Sequence, residues 1–208
     1  PLGKAPILED QDAGTPFTLV ETGAICEYLV NKADGRLGPP DQMAGLLRYR
    51  QFLHYAEGSV MPMLLAKLAV SRVPLLGKTG AKRIQPMIDH HLDYIEQELN
   101  DRPWFAGDVI TAADIMMSFP LEASVQRGGL NGSRPKLMDW LARIHARPAY
   151  ARALERGGPY AFAGSAVMGG AAGGWRMGRF DLGWFQRVEP AFPLRDHRAR
   201  HRIADHIG

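Results

Sequence analysis

Apolar residues recur at helical spacing through most of this chain. Ile84, Ile88, Leu92, Ile95 and Leu99 fall on one stripe flanked by Glu96 and Glu98, which predicts an amphipathic helix over residues 79–100. Asp101-Arg102-Pro103 ends it. A longer helical pattern covers residues 43–71, with Pro62 as the place where a lost backbone donor would bend it. Further on, Leu137, Trp140, Leu141 and Ile144 share one face of a helix over 135–146, and another helix is predicted over 148–156. Each of these two opens with proline, whose missing N–H is harmless in a first turn. Thr111-Ala112-Ala113-Asp114 has the form of a capping box with Asp in place of the usual Glu. Gly157-Gly158-Pro159 is expected to end the folded body.

The first forty residues follow a different period. Pro6 biases Ala5 towards an extended conformation, and Ile7-Leu8 continues a strand. Asp12 to Pro16 forms a turn, and Phe17-Thr18-Leu19-Val20 a second short strand, so a β-hairpin is expected. A helix carrying Ala24, Ile25 and Leu29 follows and ends near Asp34-Gly35. Residues 35–41, with Gly38-Pro39-Pro40, read as a link between two domains.

Composition adjusts this picture in three ways. At 208 residues, 46% hydrophobic and 23% charged, the chain is long enough for a substantial core and has the make-up of a globular protein. No run of roughly 20 apolar residues is present, so no membrane partner is expected. The single cysteine, Cys26, excludes an internal disulfide and any multi-cysteine zinc site, which makes a cytoplasmic location the default expectation. The net charge of +3 is confined to the end of the chain. Residues 1–160 hold 18 basic and 18 acidic side chains, whereas 161–208 hold seven arginines and four acids. The main body therefore carries no electrostatic footprint for nucleic acid. The segment 161–208 has eight glycines and no sustained period, and is expected to be a disordered Gly/Arg-rich tail. The i, i+4 pair His197 and His201 lies in it, so no metal site is assigned.

The candidate chemistry sits at the junction of hairpin and helix. Glu21-Thr22 falls where a strand ends and a helix begins. A helix N-terminus with a hydroxyl beside it suits a carboxylate, and the neighbouring Glu21 suits an ammonium. Both groups on one carbon describe an α-amino-acid head. A backbone N–H and C=O turned outward at Ala5-Pro6 could pair with the extended remainder of a peptide-like ligand. The plainer alternative is that Glu21 and Thr22 are only a polar helix start. Cys26 has apolar helical neighbours and reads as a small packed residue rather than a nucleophile.

These segments together resemble the cytosolic glutathione transferases. Pro1-Leu2-Gly3-Lys4-Ala5-Pro6-Ile7-Leu8 followed by Glu21-Thr22-Gly23-Ala24-Ile25 resembles the second half of that family's thioredoxin-like domain. The capping box, the Arg102-Pro103-Trp104-Phe105-Ala106-Gly107-Asp108 approach to it, and Arg147-Pro148-Ala149-Tyr150 resemble its helical domain. His54-Tyr55-Ala56-Glu57-Gly58-Ser59-Val60-Met61-Pro62 resembles a bacterial and fungal subgroup. The resemblance implies a mainly α (α+β overall) fold. Residues 1–34 would be the latter half of the glutathione-binding domain, 35–41 a linker, and 42–160 an all-helical C-terminal domain.

The resemblance also implies roles. Pro6 matches the family's cis-proline, Ala5 the residue whose backbone pairs with the cysteinyl part of glutathione, and Lys4 a contact to its glycyl end. Glu21 and Thr22 match the acid–hydroxyl pair that holds the γ-glutamyl head. Tyr55 and Met61, with Met63, are candidates for the pocket of a hydrophobic co-substrate, core packing being the alternative. The implied reaction is attack of the glutathione thiolate on a hydrophobic electrophile, by a homodimer that meets along residues 43–71. Glutathione is the co-substrate. A non-catalytic glutathione-binding or scaffold protein is the rival expectation. The chain opens at Pro1 and its first methionine is Met43, so an N-terminally truncated sequence is expected, without the Tyr, Ser or Cys that stabilises the thiolate. No residue is therefore assigned a catalytic role, and this stretch alone is expected to be inactive.

Overall fold

The computed structural model describes residues 6–11, 14–158, 160 and 162. Lys4, Ala5 and the segment 163–208, with His197 and His201, lie outside the described residues.

The hairpin consists of β1 (Ile7–Asp10) and β2 (Phe17–Val20), paired antiparallel with Ile7 opposite Val20 and Asp10 opposite Phe17. The first strand starts two residues later than the sequence suggests and runs to Asp10, which is buried. Helix α1 (Thr22–Lys32) folds back on the hairpin. The Tyr28 hydroxyl donates to Asp10 at 2.5 Å, Lys32 pairs with the same carboxylate, and the Phe17 and Tyr28 rings meet edge to face at 5.1 Å. A buried carboxylate is costly unless paired, and here its partners fix the angle between strand and helix.

The pattern over 43–71 suggests one helix bent at Pro62. The structure instead has α2 (Met43–Tyr55), a π-helical turn over Ala56–Val60, and α3 (Met61–Ser71). Pro62 thus falls in the first turn of a new helix, where its missing donor costs nothing, and the wide turn before it absorbs the change of register. Helix α4 (Gly77–Leu99) buries Ile88, Leu92, Ile95 and Leu99 and runs through Pro86 without ending there.

Helix α5 (Ala112–Ala123) packs against α1, α2 and α6 (Pro135–His145), and α7 (Pro148–Gly157) packs on α6. It leads into a second π-turn, Ser124–Gly128, which long side chains hold from outside. Lys67 donates to the Arg127 carbonyl at 2.6 Å and Gln85 to the Gly128 carbonyl at 2.7 Å. A Cβ at Gly128 would stand 3.1 Å from a Leu64 methyl, so this turn approaches α3 closely. Trp140, Phe52, Phe105 and Leu137 fill the core between these helices.

The folded body continues past Gly157-Gly158-Pro159. Phe162 is buried, its ring capped by the Arg127 guanidinium at 4.7 Å and flanked by Phe119 at 5.6 Å. Tyr160 donates its hydroxyl to the buried Glu122. Among the described residues no helix is long and apolar enough to cross a membrane.

Candidate glutathione site

The hairpin register decides which residues share the candidate site. Pairing of Ile7 with Val20 brings Pro6 and Glu21 to the same end of the two strands, where α1 begins. Glu21 is the residue before α1, and its carbonyl accepts the Ile25 N–H at 3.0 Å. Its backbone has φ 74 and ψ 117, a left-handed region that a side chain with a Cβ rarely adopts. Such a conformation costs of order 1–3 kcal/mol and persists only where the surroundings impose it. Thr22, half-buried, is the first residue of the helix, and no acidic residue occupies the first turn. The helix N-terminus therefore keeps its partial positive charge for an anion from outside.

Glu57, to which the sequence assigns no role, feels the Glu21 charge. It lies on the π-turn between α2 and α3, and partial burial together with the Glu21 charge pushes its carboxyl above the usual range. The available signal was a lone acid followed by glycine in an apolar helical stretch, Ala56-Glu57-Gly58.

The other sequence candidates are placed as follows. Tyr55 packs among Phe52, His91 and Tyr94, and its hydroxyl meets His91 Nδ1 at 2.5 Å, which turns it towards α4. Met61 is half-buried against the core where α3 starts, as is Met63 two residues on. The Cys26 thiol lies 3.8 Å from Met116 Sδ, and burial plus the Glu27 charge raises its pKa, which disfavours a thiolate there. Among the described residues no group of three or more His, Cys, Asp or Glu is arranged to hold a metal.

The approach to α5 is built around Asp114. Its carboxylate accepts the Thr111 N–H at 2.9 Å, the Thr111 hydroxyl at 3.0 Å, the Phe105 N–H at 3.0 Å and the Trp140 indole N–H at 3.2 Å. The expected capping box is present and does more than cap. It joins the 102–108 approach to α6 through one buried acid.

A family model described as the glutathione S-transferase C-terminal domain matches residues 76–148. Glutathione S-transferase 3 of Schizosaccharomyces pombe is 32% identical over 171 residues, which span 75% of this chain and 69% of that protein. The chain belongs to the glutathione S-transferase family. Glutathione S-transferase 1 of Saccharomyces cerevisiae is 28% identical, with 75% of each chain covered. A glutathione transferase from Burkholderia graminis, solved with two glutathione molecules bound per subunit, has the same fold at a TM-score of 0.62. It is 27% identical, over 73% of this chain and 67% of that one. The resemblance read from the motifs and the mixed thioredoxin-like and helical layout of this family are thus both found in this chain.

Proposed function

We propose that this chain binds glutathione at the hairpin end of α1 and uses it as the nucleophilic co-substrate of a conjugating transferase. The observation that carries the reading is the convergence of Pro6, the strained Glu21 and Thr22 at an uncapped helix N-terminus. Family membership supports it, and the Burkholderia relative has glutathione bound.

In this reading the α-carboxylate of the γ-glutamyl group meets the N–H groups of the first turn of α1 and the Thr22 hydroxyl. Its α-ammonium meets Glu21. Ala5 pairs through its backbone with the cysteinyl unit beside Pro6, and the Lys4 ammonium meets the glycyl carboxylate. The fixed tripeptide presents its sulfur to an electrophile lying on apolar surface that includes Met61, with Tyr55 on the same pair of helices. The thiolate attacks the electrophilic carbon, a C–S bond forms, and the leaving group departs with the electron pair or, in an addition, the pair moves onto the acceptor.

The same reading assigns residues 1–34 to the second half of a glutathione-binding domain, 35–41 to a link, and 42–160 to the helical domain. It also takes the protein to be a cytoplasmic homodimer meeting along residues 43–71. Calorimetric titration of the chain with glutathione tests the site. Glu21→Ala and Thr22→Ala should each weaken binding by about 1–3 kcal/mol, the value of a hydrogen bond to a charged group. Equal affinity of both variants and the wild type would overturn the assignment.

A further inference from the structure

We propose that the corner between α3 and α4 docks on an anionic lipid surface. Val73, Leu75 and Leu76 enter the headgroup region, and Arg72, Lys78, Lys82 and Arg83 meet the lipid anions around them. The contact is peripheral. It needs no membrane-crossing helix and takes no part in the glutathione site.

The sequence supplies both halves of this surface. Between Glu57 and Asp89 the chain has five cations, Lys67, Arg72, Lys78, Lys82 and Arg83, and no acid. Five of the 18 basic residues of 1–160 thus lie in one stretch, which leaves 13 against 18 acids elsewhere. Lys67 is turned to Gln85 and the Arg127 carbonyl. The other four are exposed and form no ion pair among the described residues. Lys78 stands in the first turn of α4, which has no acid. A cation there opposes the helix dipole, so this charge is placed against local stability. The run Val73-Pro74-Leu75-Leu76 lies in the middle of these charges.

The fold turns that run outward. Gly77 is buried, and a Cβ on it would stand 2.6 Å from the Ser71 carbonyl oxygen, so α4 starts hard against the end of α3. The Leu76 N–H closes a three-residue turn on the Pro74 carbonyl at 2.7 Å, with Leu75 at its centre at φ 66. Turns of this hand are rare and strained, and leucine gains nothing from a region that suits glycine. Packing returns little of that cost, because Leu75 is wholly exposed, Leu76 70% and Val73 49%. Strain of this kind clusters at functional sites, and an exposed apolar patch rimmed by charge marks a membrane or protein contact. A convex corner suits a soft surface that closes around it better than a rigid groove. Each cation near an anionic bilayer is worth about a fivefold factor in binding, and the apolar side chains add burial at the acyl boundary.

The test is co-sedimentation of the full chain with two kinds of vesicle, phosphatidylcholine alone and equimolar phosphatidylcholine and phosphatidylserine. The wild type should sediment with the mixed vesicles, stay in solution with the neutral ones, and be released as salt rises. Lys78→Gln and Lys82→Gln should each weaken binding about fivefold, whereas Lys82→Arg should leave it unchanged. Leu75→Asn combined with Leu76→Ser should remove most of the binding. Asparagine tolerates the left-handed turn and both positions are exposed, so the melting temperature should hold or rise. The seven arginines of 161–208 also attract anionic vesicles, so the corner variants decide. Binding unchanged in them overturns the proposal. A wild type that ignores the mixed vesicles overturns it too, and its retention on immobilised polyglutamate, lost in Lys78→Gln, assigns the corner to an acidic protein instead.

Discussion

Asp114 shows how much one side chain can organise. It is fully buried, and desolvation raises its pKa against four hydrogen bonds that lower it. Its removal would leave the Phe105 and Thr111 amides and the Trp140 indole without acceptors in a dry interior. Each unsatisfied donor costs about 1–3 kcal/mol. Asp114→Ala should therefore lower the unfolding free energy by about 3 kcal/mol or more, read from the midpoint of a urea transition with an unchanged slope. A loss below about 1 kcal/mol would mean that the network relaxes around the vacancy. The box itself was legible, because Thr111 and Asp114 are three residues apart and capping is local. Phe105 and Trp140 were not, since separations of nine and 26 positions along the chain hide which loop and which helix the same acid reaches. Glu122 was passed over for the same reason. Only the fold brings His145, Tyr150 and Tyr160 to that buried carboxylate.

At the scale of elements, the amphipathic stripes located the helices because period and burial agree: every residue placed on the inner face of α6 is buried. What the stripes could not show is a change of period. A π-turn shifts the register within five residues, too few for a spacing argument, so 43–71 reads as one helix. The packing of α2 on α4 gives a prediction with a sign. Burial, with the Tyr94 and Glu98 charges, pushes the Tyr55 phenol up to about 12, while burial and His90 hold His91 below the usual imidazole value. The Tyr55 hydroxyl and His91 Nδ1 share a hydrogen bond at 2.5 Å, and their burial favours the neutral form of each. A raised phenol stabilises the fold fully below its unfolded value of about 10 and loses that contribution as pH climbs to the folded value. The depressed imidazole does so above its unfolded value of about 6.5 and loses it as pH falls. The contact should thus contribute most between these limits. Burial or hydrogen bonding raises Tyr28, Tyr49 and Tyr160 as well, so in a rapid pH jump monitored by phenolate absorbance the late-ionising signal should shrink by one phenol in Tyr55→Phe. Removal by that substitution of a phenol titrating near 10 would contradict the packing.

For the whole molecule, the hairpin, the order of the helices and the end-to-end plan followed from local signals, whereas the outer limits did not. Residues 161–208 look like a tail by composition, yet Phe162 closes the core, because a single aromatic ring can be buried without any periodic pattern around it. Assembly is decided at this scale too. Helices α2 and α3 leave Met43 66%, Leu47 56% and Leu65 53% exposed, while their other faces enter the core. Met43 and Leu47 are four residues apart and so share one stripe of α2. A stable interface takes about 800 Å² from each partner and is driven by apolar burial at its centre. If the homodimer meets along residues 43–71, a charge on that stripe must be desolvated in the dimer and stays hydrated in the monomer. Leu47→Glu should then shift sedimentation equilibrium from dimer to monomer without changing the melting of the monomer. Val109→Glu places the same charge at another exposed apolar position, on the loop before α5, and should leave the dimer intact. A wild-type chain that sediments as a monomer, or a dimer indifferent to Leu47→Glu, would move the contact off these helices.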